Sequence, residues 1–233
     1  MNWFRYGNKN SNEFNAFISG EGTFVSPEKD IDIVEIPGRN GTLSISSGRY
    51  QNVTITYPAF IVHDFKTNYN ALKSHLLSQT GYKRLTDTYD KDHYRLARYN
   101  AQLSPEMTQL NRHGTFEISF DCDPRRFLRS GEREAVYTAD GTIKNPTQFD
   151  ALPLIRAYGT GSFTIGDIEV EITDADVYTD IDCELQEAYK GSTNCNNNIE
   201  LSQGEFPFIA PGSNTITITD ITELDIIPRW WTV

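Results

Sequence analysis

Cysteine and histidine are scarce in this chain, with 3 and 4 residues among 233. Cys122, Cys183 and Cys195 are odd in number and widely spaced, and no CxxC pair occurs. A disulfide framework and a zinc knuckle are both disfavoured, and the thiols read as reduced in a cytoplasmically made protein. His63, His75, His93 and His113 include no pair at the spacing that would turn two nitrogens toward one metal. There is no GxSxG nucleophile elbow and no P-loop, and Gly159-Thr160-Gly161 lies in a β-type context with no helix after it. Acidic residues are so numerous that a glycosidase-like carboxylate pair could be drawn anywhere, so they mark no site. No catalytic constellation and no cofactor site emerges. No apolar run of about 18 residues could span a bilayer, and Met1–Asn10 has no apolar core of a secretory signal. Positive charge is also in short supply: 21 Lys and Arg against 32 Asp and Glu leave a net −11. That balance argues against binding DNA or an anionic membrane by charge, which needs clustered Lys and Arg.

What the sequence has is alternation. Residues 30–36, 42–46, 53–57, 115–120 and 215–219 place apolar side chains at every second position for most of their length, often with Thr between them. Period two predicts strands with one face buried and one wet. Many short strands separated by turn residues predict a sandwich or barrel. Between the first two strands stands Ile36-Pro37-Gly38-Arg39-Asn40-Gly41, where Asn-Gly favours a type I′ hairpin turn. An exposed arginine at that tip could meet a partner or simply decorate a turn. Residues 153–159, 161–166, 168–172 and 180–185 read as further strands. The strong aromatic content, 12 Tyr and 13 Phe, suits both β-sandwiches and protein interfaces.

One segment has helical period. Tyr69, Leu72, Leu76 and Gln79 recur at three- and four-residue spacing, with Leu72, Leu76 and Leu77 as an apolar stripe. Thr67 or Asn68 is the expected cap and Gly81 the expected stop, giving a helix over about 67–80. His75 falls at its rim. Turn residues and a change of texture after Arg125-Arg126 and Arg129 set a domain boundary near 131–150. The division is an N-terminal β domain over 1–135 and a C-terminal β-sandwich over 136–233. Trp230 and Trp231, near the end, are candidates either for partner contact or for packing.

Five stretches in order resemble the phage distal tail protein family of long-tailed, non-contractile bacteriophages. They are residues 36–43, Phe120–Phe127, Asn145-Pro146 with Pro153–Gly159, Gly204–Asn214, and Pro228–Trp231. The resemblance covers nearly the whole chain. It implies a mainly β protein: an N-terminal, tail-tube-like, ring-forming β domain with one α-helix, followed by a C-terminal galectin-like β-sandwich. It implies a virion protein of the tail tip or baseplate, made in the host cytoplasm, without enzymatic activity. Family members form a homo-hexameric ring between the tail tube protein and a tail-associated hub or lysin protein. Tape measure protein or receptor-binding protein are further implied partners. DNA would cross the ring without specific binding, which suits an acidic chain. The hairpin Ile36, Pro37, Gly38, Arg39, Asn40 and Gly41 is the expected oligomer interface. The alternative is a lectin-like module that contacts host cell-wall carbohydrate, resting on the galectin-like resemblance and on Trp230 and Trp231.

Overall fold

The computed structural model describes residues 1–20, 24–108 and 112–233, with the backbone alone at Met107 and Thr108. The chain divides into two compact units, residues 1–126 with Val233, and residues 127–232.

The first unit runs β1 (Phe4–Tyr6), β2 (Lys9–Asn10), β3 (Ala16–Ile18), β4 (Lys29–Glu35), β5 (Thr42–Tyr50), β6 (Val53–Ile61), α1 (Phe65–Ser78), β7 (Lys83–Asp87), β8 (His93–Arg98), β9 (Glu106–Thr108) and β10 (His113–Leu128). Its main sheet has the order β2-β1-β7-β8-β10-β6-β3. An isolated bridge between Asn2 and Ile18 returns the last strand to the start of the first, so the sheet curls round its own core. The period of two in β6 explains this directly: Val53, Ile55, Tyr57, Ala59 and Ile61 are all buried, and Thr54 and Pro58 between them are exposed. Phe116, Ile118, Phe120 and Cys122 of β10 meet them from the neighbouring strand.

The helix starts earlier than its sequence period suggested. Asp64 stands at its N-cap, not Thr67 or Asn68, and the Asn68 N–H donates to the Asp64 carbonyl at 3.1 Å. The extra turn inserts Phe65 against Gly114, where an added Cβ would clash with the ring. The buried stripe is therefore Phe65, Tyr69, Leu72 and Leu76. Leu77, expected in the stripe, is 61% exposed, because one step along a helix rotates about 100° away from Leu76. His75 sits at the rim, its Nε2 3.0 Å from the Tyr6 carbonyl.

The second unit adds β11 (Ala135–Tyr137), β12 (Gly141–Asn145), β13 (Leu154–Tyr158), β14 (Gly161–Ile165), β15 (Ile168–Ile172), β16 (Tyr178–Asp182), β17 (Glu187–Lys190), β18 (Thr193–Asn194), β19 (Ile199–Leu201), β20 (Gly212–Thr219) and β21 (Glu223–Ile227). Two sheets, β11-β21-β13-β16-β17-β18 and β12-β20-β14-β15-β19, enclose one core. Ile155, Ile181 and Ile226 from the first sheet are in the same core as Phe163, Val170 and Ile216 from the second. This is a galectin-like sandwich. The strand expected over 180–185 stops at Asp182. There the Asp182 carboxylate accepts the N–H groups of Glu184 and Leu185 at 3.1 and 3.2 Å, which turns the chain.

Candidate functional site

β4 and β5 form a two-stranded sheet of their own, hydrogen-bonded to no other strand among the described residues. Their register is continuous from Ile31↔Ser46 to Glu35↔Thr42. Cross-strand partners share a face, so Ile31 and Ile33 lie with Ser46 and Ser44 on one side. Val34, Leu43 and Ile45 lie with Asp32 on the other.

The period of two in these strands led to the expectation of one buried face, and the structure overturns it. Ile33 is 69% exposed and Ile45 52% exposed, and Ile31, Val34, Ile36 and Leu43 are also exposed. The strands are an arm, with both faces and both edges open among the described residues. A plain alternation cannot separate a strand that buries one side from one that awaits a partner on either side. The distinguishing signal is what stands opposite: Ile31 and Ile33 face serines across the ladder, so that face does not close on itself.

Local interactions give the arm its shape. At its base the Lys29 ammonium sits 5.9 Å over the Tyr50 ring, and Arg49 Nε lies 3.2 Å from Asp30 Oδ2. The turn at the tip differs from the expected type I′ Asn-Gly turn. Asn40 does not adopt positive φ; Gly38 does, at 81°, and the Arg39 N–H donates to the Ile36 carbonyl at 3.1 Å. Pro37 followed by a positive-φ glycine is the arrangement of a type II turn, and Pro37 suits its first central position because it fixes φ and has no N–H to lose. Gly41, at φ 83°, lets the chain re-enter β5. Residues 36–41 are all exposed, and Arg39 projects from the tip.

The two terminal tryptophans lie in the second unit and take different positions. Trp230 is 6% exposed and belongs to the sandwich core. Its backbone passes so close to Gly131 that a Cβ there would sit 3.1 Å from the Trp230 Cα. Trp231 is half-buried, stacked on Phe149 with ring centroids 4.4 Å apart, and its Nε1–H donates to the Asp150 carbonyl at 2.9 Å. One face of that ring is thus taken by the chain itself.

No group of three His, Cys, Asp or Glu side chains among the described residues could hold a metal ion. The cysteines are free, and no described helix is long and apolar enough to cross a membrane.

The sequence matches no family model and no curated protein. Solved structures do match. The SPP1 Dit (gp 19.1) protein, described as a paradigm of hub adsorption apparatus in Gram-positive infecting phages, aligns over 100% of both chains with a TM-score of 0.74 at 14% identity. The chain has the Dit fold. The phage P2 baseplate in its activated conformation also matches. Its Ca form aligns at TM-score 0.52 and its Sr form at 0.53, each at 10% identity over 97% of both chains. The Dit fold therefore accounts for the whole chain, both units in their order, without a large insertion or a leftover segment.

Proposed function

We propose that this chain is a structural protein at the distal end of a phage tail, where copies of it form a hexameric ring. The observation that carries the reading is the end-to-end likeness to SPP1 Dit, which spans all of both chains. The exposed arm supports it. An isolated two-stranded hairpin is marginally stable in water, and open strand edges beside exposed apolar side chains invite pairing with another chain. A neighbouring subunit would cover Ile33 and Ile45 and offer main-chain partners to the free edges. Head-to-tail contacts of this kind close into a ring when the rotation between copies closes.

In this reading the ring joins the tail tube protein to the tail-associated hub or lysin protein and anchors receptor-binding components. It works in the virion after synthesis in the host cytoplasm, and no catalytic step is assigned to it. DNA passes through the ring unbound, and the net −11 charge agrees with a passage that does not retain phosphate.

The deciding experiment is negative-stain microscopy of the full-length protein, alone and co-expressed with the tail hub. Rings with a central hole support the proposal, and their loss when residues 29–50 are replaced by a short polar linker assigns the contact to the arm. Separate subunits under both conditions would refute it.

A further inference from the structure

A pocket borders the core of the first unit at one end. Toward the end of β6 away from α1, a cavity of about 320 Å³ lies among residues of β6, β7, β8 and β10, with the exposed Phe24 and the loop residues Tyr89 and Asp90 at its rim. Tyr57, Leu85, Arg95 and Arg126 are among its walls.

Arg95 is the unusual member. It stands on the inward face of β8, two residues before the fully buried Ala97, at a position where the strand's alternation calls for an apolar side chain. It is only 9% exposed. Among the described residues its one hydrogen bond runs from Nη1 to the Pro124 carbonyl at 3.3 Å. No carboxylate pairs with it among the described residues. The two nearby acids are committed elsewhere. Asp87 accepts the Tyr57 hydroxyl at 2.7 Å and the N–H groups of Tyr89 and Asp90 at 2.9 Å. Asp90 accepts His93 Nδ1 at 2.9 Å and the Arg126 guanidinium. Burial, reinforced by the positive charge of Arg126, holds the Arg95 pKa below its ordinary value. The Tyr89 hydroxyl, on the same cavity, is buried with no partner among the described residues.

A buried guanidinium without a counter-ion is costly, and structures satisfy such charges by pairing them. We propose that this cavity binds a monocarboxylate carried on a short apolar body, with the carboxylate taking the unpaired N–H groups of Arg95. A guanidinium is planar and matches a carboxylate in two parallel hydrogen bonds. A monoanion fits better than a phosphate dianion, because the Asp87 and Asp90 carboxylates stand in the same wall and would repel a second negative charge. Ile55 and Leu85 offer the apolar body a wall, and the volume lies at the small end of ligand pockets. Two sources present this chemistry: a free short-chain acid, or the carboxyl terminus of a polypeptide.

Calorimetric titration of the full-length protein tests the proposal with five probes: hexanoate, hexanol, inorganic phosphate, and a hydrophobic tripeptide in two forms, its carboxyl terminus free or amidated. Saturable hexanoate binding is expected, with hexanol and phosphate weaker by about tenfold or more, the loss of a charged hydrogen bond. Tighter binding by the free-acid tripeptide than by hexanoate assigns the polypeptide source, and the reverse order assigns the free acid. Arg95→Met should weaken the better ligand by about tenfold or more. A second measurement, on the wild-type chain, does not depend on that variant folding: the Arg95 Nε–H resonance must move on titration. No binding by hexanoate or the free-acid peptide, affinity unchanged in Arg95→Met, or an unmoved Arg95 signal would each overturn the site.

Discussion

Arg229 holds Asp182 in a two-pronged clasp, Nη1 to Oδ1 at 2.8 Å and Nη2 to Oδ2 at 2.9 Å. The acceptor carboxylate is 6% exposed and the arginine 26% exposed. The contact links the end of β16 to a residue just beyond β21 whose backbone is left-handed, at φ 58°. That conformation is disfavoured for a side-chain-bearing residue. The ion pair and a 2.8 Å hydrogen bond from the Arg229 N–H to the Gly131 carbonyl hold it there, next to the buried Trp230. Removing the arginine alone leaves a buried carboxylate without its partner. Arg229→Ala is therefore expected to destabilise the protein by about 3 kcal/mol in urea unfolding. Arg229→Lys should recover less than half of this, because an ammonium cannot make the paired geometry. A loss below about 1 kcal/mol for Arg229→Ala would refute the assignment.

The same carboxylate sets an acid limit. Burial pushes the Asp182 pKa up, but hydrogen bonds from Arg229 and from the Leu185 and Glu184 N–H groups outweigh it, leaving the pKa below the usual carboxylate value. Asp90 is also lowered: burial opposes, and His93 and Arg126 prevail. A depressed folded-state pKa means that the folded chain binds the proton less readily than the unfolded chain. The stabilisation is then complete above the unfolded value, about pH 4, and is lost as pH falls through the folded values below it. Urea unfolding at steps from neutral pH to about pH 3 should show stability falling with acid, and Asp182→Asn should flatten that fall. An equal slope in wild type and variant would count against it.

How much of this was legible in the sequence varies with the kind of contact. β6 and β10 were readable because their alternation ends in a buried face, as Ile55 and Phe120 show. The helix was readable from Leu72 and Leu76, but its start was not. Phe65 is recruited by the space beside Gly114, a tertiary contact that no local period records. The arm was legible as strands and not as exposed strands, because period two fixes which side chains share a face and says nothing about what covers it. Arg95 was missed for the converse reason. A lone arginine in His93-Tyr94-Arg95-Leu96-Ala97 looks like a surface residue until the fold turns its side of β8 inward.

The cysteines yield a simple chemical count. Burial pushes the Cys122 thiol up to about 12 and raises the Cys183 thiol further. The reactive species is the thiolate, so both should be inert in the folded protein. Cys195 is half-buried, in the second unit. A thiol-specific disulfide reagent should therefore modify one cysteine quickly in native buffer and all three in denaturant. Rapid modification of two or more in the folded state would show that a core position opens far more readily than its burial implies.

The arm makes the sharpest separation between folding and assembly. Ile33 and Ile45 lie on opposite faces of the β4–β5 sheet, and neither touches the core of the first unit. Replacing both with Asp puts a charge on each face without removing any buried contact of the isolated chain. Exposed substitutions of this kind usually change stability by no more than about 0.5 kcal/mol. Thermal unfolding of the separate subunit should thus be nearly unchanged. In an assembled ring the same carboxylates would be buried against a neighbour without a partner charge, at a cost of several kcal/mol per contact. Light scattering should then report subunits for Ile33→Asp/Ile45→Asp under conditions where the wild type forms rings. Arg39→Ala, a single change at the tip that leaves both apolar faces intact, should weaken assembly far less if the faces carry the contact. If the double variant assembles as the wild type does, the arm is not the contact surface. If Arg39→Ala alone abolishes rings, the contact lies at the tip.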